Sequence, residues 1–186
     1  MKTVFLFLAV LTAISAASDR SRLEFSLGAG AWMPALLDSD ARLTPGPAVV
    51  ASVQIPPSMG NVFIVETGFL SAGSDRITFD GVSAIPLTVG YRTYPFYRRF
   101  AGPRGIEPLM GIYAGGMLLW DSPEPGQDGT TTGAGVIGAE IGARVNLGRS
   151  ASLDLVVTPE WIGSGSGVAG EGSDLTGLEL TASISF

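Results

Sequence analysis

The sequence contains no histidine and no cysteine. Without histidine, the commonest general base and the commonest metal ligand are both missing. A serine therefore has no usual partner for nucleophilic attack, and the chain reads as a non-enzyme. Without cysteine there is neither a disulfide nor a thiolate metal site. No loop carries the spaced Asp/Asn/Gly pattern of a calcium loop, so no metal or cofactor is expected. Lysine occurs once, as Lys2, and charged residues make up only 15% of the chain. With an N-terminal leader set aside, 10 arginines face 17 acidic residues, a formal charge of −7. That balance offers no basic patch and excludes a nucleic-acid partner. Beyond the leader there is also no apolar run of about 18 residues, and so no transmembrane helix.

What is present is hydrophobic and glycine-rich: 46% apolar residues and 26 glycines. The chain opens Met1-Lys2-Thr3 and continues "VFLFLAVLTAISAAS". One positive charge, a short apolar stretch and an exit through small residues form a cleavable signal peptide, residues 1–17. The stretch is shorter than the roughly 20 residues a spanning helix needs. Residues 18–186 form one domain. An exported, hydrophobic chain without hydrophobic helices has one other way to meet lipid: the closed β-barrel, which satisfies every backbone hydrogen bond internally.

Eight segments with a two-residue period follow one another: "LEFSLGAGAWM", "VVASVQI", "VFIVETGFL", "IPLTVGYRTY", "PLMGIYAGGMLLW", "IGAEIGARVNL", "ASLDLVVTPEW" and "LELTASISF". In the sixth, Ile137, Ala139, Ile141, Ala143, Val145 and Leu147 alternate with Gly138, Glu140, Gly142, Arg144 and Asn146. In all eight one face is nearly free of charge, and the other is small or ionic. That is the chemistry of lipid outside and a narrow lumen inside, because an arginine on the lipid face costs about 2–4 kcal/mol at the midplane. A length of about ten residues suits a tilted membrane strand. The expected fold is therefore all-β: an eight-stranded antiparallel up-and-down transmembrane β-barrel, preceded by a cleavable signal peptide.

With the N-terminus inside, the outer links are 34–45, 72–82, 121–132 and 163–176, and the inner links are 56–61, 95–105 and 148–150. The outer set is generally longer, as in outer-membrane barrels. Charge sorts likewise. Asp38, Asp40, Asp75, Asp80, Asp121, Glu124, Asp128, Glu171 and Asp174 fall outside, and Arg98, Arg99, Arg104 and Arg149 fall inside. Aromatic residues cluster where two interfacial girdles belong. Trp32, Trp120 and Trp161 lie at outer ends, with Trp32 on lumen parity. Phe25, Phe63, Tyr91, Tyr94, Phe96, Tyr97, Phe100 and Phe186 lie at inner ends or in inner turns.

The alternating C-terminal strand ending in Phe186 resembles the signature that outer-membrane barrels present to their assembly machinery. "IPLTVGYRTYPF" followed by "IEPLMGIYAGG" resembles the centre of small outer-membrane β-barrel domains of the OmpA transmembrane-domain, OmpX and OmpW type. Leu109 stands where many of these have tyrosine. The resemblance implies insertion in the outer membrane. The partners it implies are lipid, lipopolysaccharide and, during biogenesis, the barrel-assembly machinery, with the chain a monomer. It does not imply one activity.

An eight-stranded barrel is just wide enough for its side chains to fill. The charges on lumen parity are Glu24, Glu66, Arg92, Glu140, Arg144, Asp154, Glu160 and Glu179. The short "GRS" turn at 148–150 sets 147 against 151, which brings Arg144 opposite Asp154 as a structural lumen salt bridge. The same reasoning on the last hairpin puts Glu160 near Glu179 at the outer mouth. The function expected is a structural or surface-interaction role with acidic extracellular loops and a side-chain-filled lumen. The alternative is a carrier or narrow channel for small hydrophobic molecules, which Leu109, Tyr113, Met117 and Leu119 would favour as an apolar inner wall.

Overall fold

A computed structural model describes residues 23–36, 42–58, 60–75, 79–96, 105–123, 129–148, 151–163 and 175–186. The proposed signal peptide lies outside them. The strands are β1 (Glu24–Met33), β2 (Leu43–Thr44), β3 (Gly46–Ser58), β4 (Asn61–Ser74), β5 (Phe79–Thr93), β6 (Ile106–Pro123), β7 (Thr131–Asn146), β8 (Ser152–Ile162) and β9 (Gly177–Ser185). The two-residue β2 pairs only with β4, beyond the end of β3. The other eight strands each pair antiparallel with their sequence neighbours, and β1 pairs with β9, which closes the sheet. The result is an eight-stranded up-and-down barrel with no helix among the described residues. Closure leaves the eight barrel strands without a free sheet edge.

Side chains alternate between the two faces as the period-two pattern demands. On β7, Ile137 and Ile141 are 53% and 65% exposed, while Glu140 and Arg144 between and beyond them are buried. On β5, Ile85, Leu87, Val89 and Tyr91 face outward while Thr88 and Arg92 face inward. The same outward row runs through Phe25 and Leu27, Ile112 and Leu118, Leu155 and Val157, and Leu180 and Ile184.

Strand lengths depart from the ten residues expected. β4 to β7 span 14, 15, 18 and 16 residues, and they take up much of what the sequence marks as the outer links 72–82 and 121–132. Glycine, serine and aspartate there read as turn chemistry. Yet small apolar residues on the even and odd lumen positions (Ala72, Val82, Ala84, Leu119) keep the backbone in register and bury an outer apolar core.

Asp75, Asp80 and Asp121 sit at the end of the barrel opposite the chain termini. The other acids and the four arginines of the charge-sorting argument lie outside the described residues, as do Tyr97 and Phe100. At the terminal end Phe25 and Phe186 exchange two backbone hydrogen bonds of 3.0 and 2.9 Å. Phe63 and Tyr91 stack edge-on there, with centroids 5.3 Å apart. Trp161 faces outward, and Trp120 packs near Phe69. Tyr94 departs from the girdle. Its ring is 5% exposed and turned into the lumen, with the Arg144 guanidinium 4.7 Å from its centroid. A cation over a buried aromatic face is a favourable pairing that an interfacial position does not offer.

Candidate functional site

The barrel interior carries all of the charged residues that the strands bury. Arg144 on β7 and Asp154 on β8 are direct cross-strand partners. Arg144 donates from Nε to Asp154 Oδ1 at 2.7 Å and from Nη2 to Oδ2 at 2.8 Å, in the bidentate geometry that makes arginine–carboxylate pairs strong. It also donates to Gln54 Oε1 on β3 at 2.8 Å and to Glu24 Oε2 on β1 at 3.2 Å. Arg92 on β5 makes a second fork, to Glu140 Oε2 at 2.8 Å and Oε1 at 3.0 Å, and reaches Asp154 Oδ2 at 3.2 Å. The fully buried Asp154 thus joins the two arginines, and one polar network ties together five strands on different sides of the barrel.

Toward the end of the barrel opposite the termini a second group centres on Glu160. Trp32, itself fully buried, donates its indole N–H to Oε1 at 2.5 Å, and the Tyr113 hydroxyl donates to Oε2 at 3.0 Å. Two glycines make room for these side chains. A Cβ on Gly138 would lie 2.5 Å from the Tyr113 ring, and one on Gly111 would lie 2.6 Å from Glu140 Oε2. Glu66 and Glu179 face the same region and, with Glu140 and Glu160, line an interior cavity of about 20 Å³. That is room for little more than one water molecule, which needs about 10–15 Å³.

Glu160 and Glu179 line the same cavity without being direct cross-strand partners. Glu179 pairs with Thr158, while Glu160 pairs with Gly177. The two carboxylates are offset by two residues along the barrel, because the length of the last link does not set the pairing as the short "GRS" turn does. Both face inward. Trp32 lies in the lumen rather than the girdle.

The interior is also less polar than the small-and-charged face read from the segments. Trp32, Leu70, Met117, Leu119, Val136 and Ile162 belong to an apolar cluster toward the end opposite the termini. Val62, Ile64, Tyr94, Leu109 and Val156 form a second one lower down. Of the expected inner wall of Leu109, Tyr113, Met117 and Leu119, Leu109 and Leu119 are packed into these clusters, while Tyr113 and Met117 line the small interior cavity.

Sequence reasoning missed Glu107, Gln54 and the Trp32–Glu160–Tyr113 group. Glu107 is buried and accepts a hydrogen bond from Asn146 Nδ2 at 3.2 Å. Extending the parity of Leu109 back by two residues would have placed it. Nothing in the sequence marks Trp32 and Glu160 as partners, since they lie 128 positions apart.

No family model matches the sequence, and no curated protein matches it. Among solved structures the chain is similar to Neisserial surface protein A, at 13% identity over 90% of this chain and 98% of that one, with a TM-score of 0.65. It is also similar to a major outer membrane protein from Thermus thermophilus, at 12% identity over 89% and 99%, with a TM-score of 0.50. At such identities the likeness is one of fold, and the fold this chain shares is that of small outer-membrane β-barrels.

Proposed function

We propose that this chain is an integral outer-membrane barrel with a structural or surface-interaction role, exposing acidic loops to the exterior. The observation that carries this reading is the outward belt. Ile112, Ile137, Ile141, Leu155 and Val157 stand exposed around the wall while glutamates and arginines are turned inward. A continuous apolar surface of this extent is not tolerated in water, and it matches the band a bilayer requires. Lipid and lipopolysaccharide are then the molecules that cover it. Phe186, exposed at the end of the strand that closes against β1, serves as the recognition residue for the assembly machinery. The chain acts as a monomer, because closure leaves no strand edge to pair.

The lumen argues for a filled barrel over a carrier. A passage for small hydrophobic molecules needs a continuous apolar cavity, whereas the interior cavity holds about 20 Å³ and its wall mixes four glutamates, Arg92 and hydroxyls with apolar side chains.

Fractionation combined with electrophoresis of unheated samples tests the placement. A compact, fast-migrating species confined to the outer membrane is expected, and recovery from the soluble periplasm refutes it. Planar-bilayer recording tests the lumen. No steady conductance is expected, and a reproducible open level moves the assignment to a channel.

A further inference from the structure

Four glutamates line the interior cavity, Glu66 from β4, Glu140 from β7, Glu160 from β8 and Glu179 from β9, and one guanidinium, that of Arg92 on β5, faces them. Arg92 divides itself between Glu140 and Asp154. Glu160 accepts from Trp32 of β1 on one oxygen and from Tyr113 of β6 on the other, so it is satisfied as a carboxylate. Glu66 and Glu179 receive no hydrogen bond and no ion pair from the described residues. Their cross-strand partners are uncharged: Ser52 of β3 and Thr88 of β5 beside Glu66, Trp32 and Thr158 beside Glu179. Glu179 is 8% exposed, and the charges acting on it are Glu66, Glu160 and Glu140, all of its own sign. Glu66 meets Glu140 and Glu160 too, offset only by the shared Arg92. Met117, Val136 and Val156 add hydrocarbon to the same wall. In such surroundings an acidic side chain is neutralised more readily than it is kept charged.

We propose that Glu66 and Glu179 are a proton-binding site: on folding at neutral pH the barrel takes protons from water and holds them on these two side chains as carboxylic acids. A proton needs no coordination shell, so it suits a wall where Arg92 and hydrocarbon stand beside the acids. It removes a negative charge from a group that has no partner of its own. It also turns an acceptor-only carboxylate into a group with an O–H to donate, and carboxylate acceptors are what this wall holds in excess. The cavity of about 20 Å³ has space for roughly one water to receive that O–H. The consequence is a barrel whose stability depends on pH in the neutral range. Glutamates of the unfolded chain have released their protons above about pH 5. Folding above that pH therefore takes protons up, and raising the pH opposes it. The inference concerns the lumen alone and holds whether the wall meets lipid or water.

The test is urea unfolding of the whole barrel in vesicles between about pH 6 and about pH 9, a window in which a chain without histidine or cysteine has no other side chain that ordinarily titrates. The N-terminal amine is common to all variants and cancels in the comparison. The wild-type folding constant is expected to fall as pH rises, by up to about ten-fold per pH unit for each proton held. A Glu66→Gln, Glu179→Gln double variant keeps the shape of the neutral acids, so it should match wild type at the acidic end, exceed it at the alkaline end and show a flat profile. An Asp75→Asn, Asp80→Asn double variant, altered at the end opposite the termini, keeps the wild-type slope. Infrared spectra of the folded wild type at neutral pH supply a second reading: a carboxylic-acid carbonyl band that weakens in each glutamine variant. A wild-type profile as flat as that of the glutamine variant overturns the proposal. So does a glutamine variant that is less stable at every pH, since the two groups would then act as paired carboxylates. Absence of the carboxylic-acid band from folded wild type overturns it as well.

Discussion

Replacing Asp154 with asparagine keeps the shape of the side chain but deletes the charge that both interior arginines share. Asp154 is fully buried and accepts at 2.7 and 2.8 Å from Arg144 and at 3.2 Å from Arg92. Two opposing effects follow. Attraction to two guanidiniums is lost, each on the order of 4 kcal/mol at about 4 Å and an effective dielectric near 20. Repulsion with the other inward carboxylates is relieved, but those lie farther off, and Glu140 is already held by Arg92. The short contacts win. Arg92 keeps its fork to Glu140, and Arg144 keeps Gln54 and a half-exposed Glu24, so the loss falls short of the full sum. Removing one partner of a buried pair costs about 3–5 kcal/mol, and that is the destabilisation expected for Asp154→Asn. The assay is reversible urea unfolding in lipid vesicles, followed by tryptophan fluorescence. A double-mutant cycle with Arg144→Met isolates the pair, because the doubly altered barrel should lose clearly less than the two single losses added together. A midpoint for Asp154→Asn within about 0.5 kcal/mol of wild type, the range of a neutral surface change, would refute the network as a source of stability.

Three further outcomes follow from particular positions. Gly138→Ala puts a methyl group against the Tyr113 ring and detaches it from Glu160, costing about 1–3 kcal/mol as overpacking does. Gly133→Ala, with open space around its Cβ, should cost far less in the same unfolding assay, and equal losses would sink the packing argument. Ile141→Arg, 65% exposed and outward, should destabilise the barrel by about 2–4 kcal/mol in a bilayer. Its unfolding midpoint in vesicles measures this, and no change would mean that the wall does not face lipid. Phe186→Ser should leave refolding in detergent intact and lower outer-membrane yield in cells. A normal yield by fractionation removes Phe186 as an assembly signal.

The alternation of the strands was legible because it is local. A two-residue period sends Ile137 and Ile141 one way and Glu140 and Arg144 the other, whatever they pack against. The "GRS" turn adds register to that parity: few residues separate Leu147 from Ala151, which hydrogen-bond across the turn at 3.0 Å. Arg144 then has to face Asp154. Longer links carry no such constraint, which is why the position of Glu179 against Thr158 was out of reach. Strand ends at 72–82 were misleading for a related reason. Their residues favour turns, and only pairing with neighbours draws them into the sheet.

By itself the sequence determined the parity of each strand, the number of strands and the chemistry of each face, since these depend on residues a few positions apart. Only closure of the barrel decided which inward side chains meet. Arg92 finding Asp154 across 62 positions, Trp32 reaching Glu160, Tyr94 sliding under Arg144, and Glu66 and Glu179 meeting at one cavity all depend on strands brought opposite one another through the lumen. No periodicity along a single strand encodes that distance.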